Sequence, residues 1–343
     1  MILRGLFYNG LSYHPAMHEA PENRFYHKDS SFIENRAREI SRAMKENRIT
    51  ADDALLIGEF VAGASRTNRL APAGSYKMVN TLIGLRRFIG PYRDNTVADI
   101  NEGMERIRNF GLKQTTMADY MKMLKRFCIW LAENGYGRSD EKALRKITIE
   151  RPKAAAMDAE SFISEDEVGK MLAACRRSND RALIMMLYEG AFRIGELGKL
   201  KWGQVKLNEH NVIVHVADTY GRYRLIPLYK SMDLIHAWSR DYPGGFTPDD
   251  YVFITRSGMQ LQYMGVSHRI NRIGERAGIG KHLTPQMFRQ SAIANMIRDG
   301  VPETIIKKMC WGTDGTEMFK KYAHLVHNDV EQAMAVRNKA NIK

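Results

Sequence analysis

Apolar residues recur at three- and four-residue spacing through most of this chain, and alternate in a single short stretch. From Ser31 to Asn134 the pattern is helical. Thr50 and Asp53 form a capping-box start ahead of Ala54, Leu55, Ile57 and Phe60. A second run carries Met78, Val79, Leu82, Ile83 and Phe88. A third opens at Thr115 and Thr116, aligns Met117, Tyr120, Met121, Leu124, Phe127, Cys128 and Leu131 on one stripe, and stops at Gly135. Such stripes predict the core of a small helical bundle over residues 31–138. Residues 1–30 have no periodicity and read as an N-terminal arm.

Residues 139–160 are charged, contain a proline and lack periodicity, which predicts a linker. Ser164 and Glu167 then supply a second capping box, and a second domain is expected over 161–343, C-terminal tail included. Its segment 181–201 reads as an apolar helix, a break at Gly190 and a further helix opened by Arg193 and Glu196. Val212, Val214 and Val216 alternate, Tyr220 and Gly221 mark a turn, and Leu225, Ile226 and Leu228 return as the partner strand. Asp233 to Trp238 and Val266 to Arg276 read as helices, Tyr251 to Thr255 as a short apolar segment, and after the hairpin the domain is mostly helical to the end. The expected fold class is mainly α with a small antiparallel β-hairpin or sheet, an α+β arrangement in two domains.

Composition narrows the partners. With 343 residues, 44% of them hydrophobic, the chain can bury two cores. Lys and Arg number 52 against 39 Asp and Glu, a formal charge of +13, which favours a polyanion: nucleic acid or an acidic membrane surface. No apolar run approaches the roughly 18 residues a membrane span needs, and the opening MILRGLFYNG, broken by Asn9 and Gly10, does not resemble a secretory signal. Cys128, Cys175 and Cys310 lie far apart, with neither metal-ligand spacing nor the even number of a disulfide framework. The expectation is a soluble, cytoplasmic protein without a membrane partner, metal or cofactor. Lys77, Arg86, Arg87, Lys122, Lys125 and Arg126 flank the apolar stripes. Each suits a solvated face or a phosphate contact, and their recurrence on successive helices favours phosphate.

The stretch from Leu283 to Leu325 concentrates candidate chemistry: Arg289 as a cationic anchor, Trp311, and Tyr322 as a phenol. Read together, Arg193 within YEGAFRIGELGKLKW, the hairpin VIVHVADTYGRYRLIPL, the segment TPQMFRQS and the ending MCWGTDGTEMFKKYAHL stand in the order and context of the tyrosine recombinases. The chain resembles that family, and its archaeal integrase branch most. The resemblance covers the second domain throughout, and the helical N-terminal segment fits the family's core-binding domain.

That resemblance implies a site-specific DNA recombinase or integrase of a mobile element. In such enzymes a tyrosine attacks the scissile phosphate, leaving a 3′-phosphotyrosine and a free 5′-hydroxyl that later attacks the partner strand. One phosphodiester is exchanged for another, so neither metal nor cofactor is required. The implied partner is double-stranded DNA, held in a C-shaped clamp by a protein that is monomeric in solution and tetrameric on two sites. Arg193 and Arg289 take the places of the two arginines whose planar guanidinium groups match phosphate oxygens. Tyr322 takes the nucleophile position, Trp311 the His-or-Trp position, and Glu196 a supporting place one turn after Arg193. Arg222, in the hairpin, joins the basic residues expected to contact DNA.

Three positions depart from the family pattern. Thr219 stands where the hairpin turn carries a lysine that protonates the leaving 5′-oxygen. Gln286 stands at the first histidine position, and Gln290 where a second histidine commonly follows the arginine. Neither a threonine hydroxyl nor an amide carries protons at neutral pH. Nearby Arg222 and Arg224 donate hydrogen bonds but release protons reluctantly. Two outcomes follow from these residues. One is a recombinase with attenuated or unusual proton transfer; the other is a catalytically degenerate paralogue that acts as a DNA-binding, architectural or regulatory protein.

Overall fold

The computed structural model describes residues 29–67, 72–150, 161–217, 223–320 and 322–323. These fall into two compact units, one holding 29–150 and the other 161–323.

The first unit is helical: α1 (Asp29–Lys45), α2 (Ala51–Thr67), α3 (Pro72–Leu85), α4 (Val97–Arg108), α5 (Gln114–Glu133) and α6 (Glu141–Lys146). The stripe expected on α5 is its buried face: Met121, Leu124, Phe127, Cys128 and Leu131 pack with Phe60, Val79, Leu82 and Ile83 in one core. Phe127 sits at its centre, 5.0 Å from the Phe60 ring and 4.7 Å from Tyr92. Asp53 does more than cap α2. Fully buried, its carboxylate accepts from the Thr50 N–H at 2.9 Å, the Tyr92 N–H at 2.9 Å and Arg86 Nε at 2.7 Å. A buried charge persists only when paired and hydrogen-bonded in this way.

Part of the expected linker is folded. Asp140 caps α6 by accepting from the Ala143 N–H at 2.8 Å, and Leu144 is fully buried in this unit's core, with Ile147 and Ile149 packed against it. The run is too short for helical periodicity to register in the sequence, and tertiary burial of a few apolar residues holds it in place. Residues 151–160 lie outside the described part, as do 1–28.

The second unit runs α7 (Glu165–Ala174), α8 (Ser178–Gly190), α9 (Ile194–Gly198), β1 (Val205–Leu207), β2 (Val212–Ala217), β3 (Tyr223–Leu228), α10 (Met232–Arg240), α11 (Tyr263–Arg276), α12 (Pro285–Arg298) and α13 (Glu303–Trp311), with further helical residues at 318–320 and 322–323. Ser164 and Glu167 make the reciprocal bonds of a capping box at α7, as their spacing predicts. Helix α8 is buried around its whole circumference from Ala182 to Tyr188 and forms the axis of the unit.

The hairpin is present, with the short β1 added along its edge to make an antiparallel sheet in the order β1-β2-β3. Val212, Val214 and Val216 face inward, as alternation demands. On β3 the inward set is Arg224, Ile226 and Leu228, and Leu225 is 54% exposed. Apolarity alone would send Leu225 inward and Arg224 out; the register, which pairs Val216 with Arg224 and His215 with Leu225, does the reverse.

Candidate functional site

The site begins at a sharp corner. Helix α8 ends at Gly190, and Ala191 follows in the left-handed region at φ 47° and ψ 34°. A non-glycine residue there carries about 1–2 kcal/mol of strain. Gly190 has no room for a side chain: a Cβ would lie 2.1 Å from the ring of Phe192, which is buried in the core. The corner turns the chain so that Arg193 sits at the start of α9, with its guanidinium accessible.

Arg193 is held from one side. Glu196 accepts from its backbone N–H at 2.7 Å and from Nη1 at 2.8 Å, while the arginine side chain remains 47% exposed. Glu189 does not compete for it. That carboxylate instead accepts the N–H groups of Tyr229, Lys230 and Ser231 at 2.6, 2.8 and 2.8 Å, pinning the end of β3 to α8.

Arg289 is placed differently. Thr284 caps α12, with Pro285 in its first turn, and the helix buries Arg289 to 5% exposure. Its Nη1 donates to the Ala191 carbonyl and its Nη2 to the Cys310 carbonyl at 2.7 Å. Burial pulls its pKa down to about 10, eased by Cys310 and reinforced by the positive Arg193 and Arg224. It stays charged at neutral pH. Its guanidinium carbon lies 5.8 Å from the centre of the Trp311 ring, within cation–π range.

Trp311 ends α13, where Gly312 takes the left-handed cap at φ 68°. The ring of Tyr322 lies 6.1 Å from that of Trp311, inclined at 50°. Tyr322 is 2% exposed and packs in a small cluster with Ala191, Ile293, Ile306, Cys310 and Phe319. Burial raises its pKa above the ordinary tyrosine value, and the nearby Arg289 charge opposes that shift only in part.

Arg193, Glu196, Arg289, Trp311 and Tyr322, separated by up to 129 positions in sequence, therefore gather at one end of α8 around the Ala191 corner. Gln286 is exposed on the first turn of α12 and Gln290 is half-buried beyond Arg289. Thr219 and Arg222 lie outside the described residues. One participant enters the sequence reading only as a reluctant proton donor beside the hairpin turn. Arg224 is buried, donating Nη2 to Glu196 and Nη1 to the carbonyls of Met309 and Cys310. A charged residue at an inward strand position is the signal that points to it.

The helical unit carries the basic candidates. Lys122, Lys125 and Arg126 line an open groove of about 710 Å³ with Phe60, Trp130 and Arg145. Lys122 and Arg126 are exposed, whereas Lys125 Nζ donates to the carbonyls of Arg145 and Ile147 at 2.9 and 2.6 Å. Lys77 lies 3.6 Å from Asp119, and Arg87 stacks over Phe88 and Phe110. Arg86 is turned inward, spent on Asp53 and on the Ile89 carbonyl. Among the described residues no group of His, Cys, Asp and Glu could hold a metal ion, and no helix is long and apolar enough to cross a membrane.

Residues 161–329, which hold this constellation up to Tyr322, match the phage integrase family. Over those residues the chain is a relative of the tyrosine recombinases. It is 28% identical over 189 residues to tyrosine recombinase XerC of Xanthomonas campestris, covering 54% of this chain and 57% of the relative. XerC of Chromobacterium violaceum is 24% identical over 211 residues, covering 60% and 68%. The chain thus spans little more than half the length of the first of these relatives. In fold it is similar to XerH recombinase bound to its palindromic difH substrate after cleavage (TM-score 0.61, 14% identity, 89% of each chain). It is also similar to DNA-bound lambda integrase residues 75–356 (TM-score 0.61, 12% identity, 79% of this chain and 96% of the other).

Proposed function

We propose that this protein cuts and rejoins double-stranded DNA at specific sites, with Tyr322 as nucleophile and Arg193 and Arg289 as the phosphate clamp. The observation that carries the reading is the convergence of an exposed guanidinium, a buried one, an indole and a phenol around the Ala191 corner. The phenolic oxygen bonds to phosphorus as the bond to the 5′-oxygen breaks, so the number of phosphoester bonds is conserved. The tyrosine proton departs and the 5′-oxygen gains one. Negative charge on the non-bridging oxygens in the transition state is what guanidinium donors stabilise, and such groups contribute about 10²–10³-fold each. Trp311 can add an indole N–H.

Gln286 and Gln290 cannot move protons, and general acid–base groups of that kind contribute about 10²–10⁴-fold. The reaction is accordingly slow, and a proton donor for the leaving oxygen has to come from elsewhere. Lys122, Arg126 and Lys77 supply phosphate contacts from the helical unit, with Arg222 adding one from the hairpin. The protein is a monomer in solution that assembles into a tetramer on two DNA sites, as the integrase of a mobile element, and its likeness to the archaeal integrase branch rests on the motif blocks.

The test is covalent trapping on the duplex that the full chain selects from a random-sequence library. With a nick placed beside the scissile phosphate, the 5′ product diffuses away and a 3′-phosphotyrosine adduct accumulates. Wild type is expected to form it and Tyr322→Phe to form none. A second reading is favoured by the burial of Tyr322 together with the glutamines: a DNA-binding paralogue without strand transfer. It predicts binding indifferent to Tyr322→Phe and no adduct until Thr219→Lys, Gln286→His and Gln290→His are combined.

A further inference from the structure

The hydrogen bonds that place the two clamp arginines form a closed circuit, and Arg224 is the link that closes it. Arg193 donates to Glu196; Glu196 also accepts from Arg224. Arg224 donates at 3.0 Å to the Cys310 carbonyl, which accepts from Arg289 at 2.7 Å as well. Arg289 donates in turn to the carbonyl of Ala191, two residues before Arg193. Strand β3, helix α12, the end of α13 and the α8 corner are tied together by these few groups.

We infer that Arg224 is a positioning residue of the phosphate clamp, fixing Arg193 through Glu196 and fixing Arg289 and Trp311 through the shared Cys310 carbonyl. The inference rests on the strand-transfer reading for its chemistry but on the circuit for its geometry.

Three features support it. Without Arg224, Glu196 is held only by Arg193 itself, through its N–H and Nη1, and the carboxylate loses the anchor on β3 that fixes where it holds that guanidinium. The carbonyls of Met309 and Cys310 immediately precede Trp311, so a donor to both sets where the indole sits against Arg289. Finally, a guanidinium is the group this geometry needs: its planar fork reaches a carboxylate from one nitrogen and two carbonyls from another. A lysine ammonium, a single point on a flexible stem, cannot span both sides.

The experiment compares full-length wild type, Arg224→Lys, Glu196→Gln and the double variant on the selected duplex. Arg224→Met is included for contrast, with Arg224→Lys guarding against simple misfolding. Arg224→Lys is expected to melt like wild type and to bind the duplex within about twofold, yet to form the Tyr322 adduct about 100-fold more slowly, the scale of a misplaced clamp. Because Arg224 acts partly through Glu196, the double variant is expected to fall less than the product of the two single losses. Adduct formation by Arg224→Lys at the wild-type rate, or losses that multiply fully, overturns the inference. If wild type itself forms no adduct, the strand-transfer reading fails, and amide hydrogen exchange then decides the role of Arg224. Faster exchange in Arg224→Lys confined to residues 193–197 and 309–311 sustains it, and unchanged exchange overturns it.

Discussion

Arg193 and Arg289 carry the same charge in opposite settings. Arg193 is accessible and leans on one carboxylate, while Arg289 is buried and held by two backbone carbonyls. A lysine could keep the charge at 289 but not the two-sided fork, so Arg289→Lys is expected to slow adduct formation by about 10²–10³-fold in the trapping assay while duplex affinity changes little. Tyr322 sets the pH response. Burial holds its phenol neutral well beyond neutral pH, and neither glutamine can act as base. If loss of this proton limits the reaction, the adduct rate should climb about tenfold per unit between roughly pH 7 and 9, a window in which Arg289 remains charged. The same shift has a stability sign. A pKa raised on folding stabilises the fold below the ordinary tyrosine value, and that contribution is lost as pH rises through the folded value. Tyr322→Phe should therefore lose less melting temperature than wild type on going from neutral to strongly alkaline buffer.

At the scale of elements, the end of α8 is the part on which the site depends. Glycine at a helix end is ordinarily improved by alanine, by about 0.4–1 kcal/mol. Here the sign reverses, because a Cβ on Gly190 would drive into the Phe192 ring. Gly190→Ala is expected to cost about 1–3 kcal/mol, the range for overpacking, measured by urea denaturation. In the helical unit, Asp53 and Arg86 join α2 to the end of α3. Removing one member of a buried pair strands the other, so Arg86→Ala should destabilise the protein by roughly 3 kcal/mol or more.

For the whole molecule, the formal +13 charge is useful only where it is exposed and free to meet phosphate. Lys122 and Arg126 meet that condition in the groove beside Phe60 and Trp130, and Arg86 does not. Lys122→Ala should weaken duplex binding and make the slope of log K against log salt shallower by about 0.9, the increment for one phosphate contact. Arg86→Ala should leave that slope unchanged. A titration of duplex binding between low and moderate salt separates the two.

What the sequence by itself determined is whatever depends on near neighbours in the chain. Capping boxes at Thr50 and Ser164, the α5 stripe, the alternation of Val212, Val214 and Val216, and the order of the four motif blocks are all local patterns, and all are legible without coordinates. The candidate residues Arg193, Arg289, Trp311 and Tyr322 could be named from that order, which is why the family was readable. Tertiary structure alone decided which charges turn inward. Asp53 with Arg86, and Glu196 with Arg224, are pairs whose members lie 33 and 28 positions apart. No local rule sends Leu225 outward and Arg224 in, because that choice is made by strand register and by the carbonyls waiting on α13. The burial of Tyr322 belongs to the same category. A phenol's reactivity depends on the medium around it, and only packing of α12 and α13 against the Ala191 corner supplies that medium.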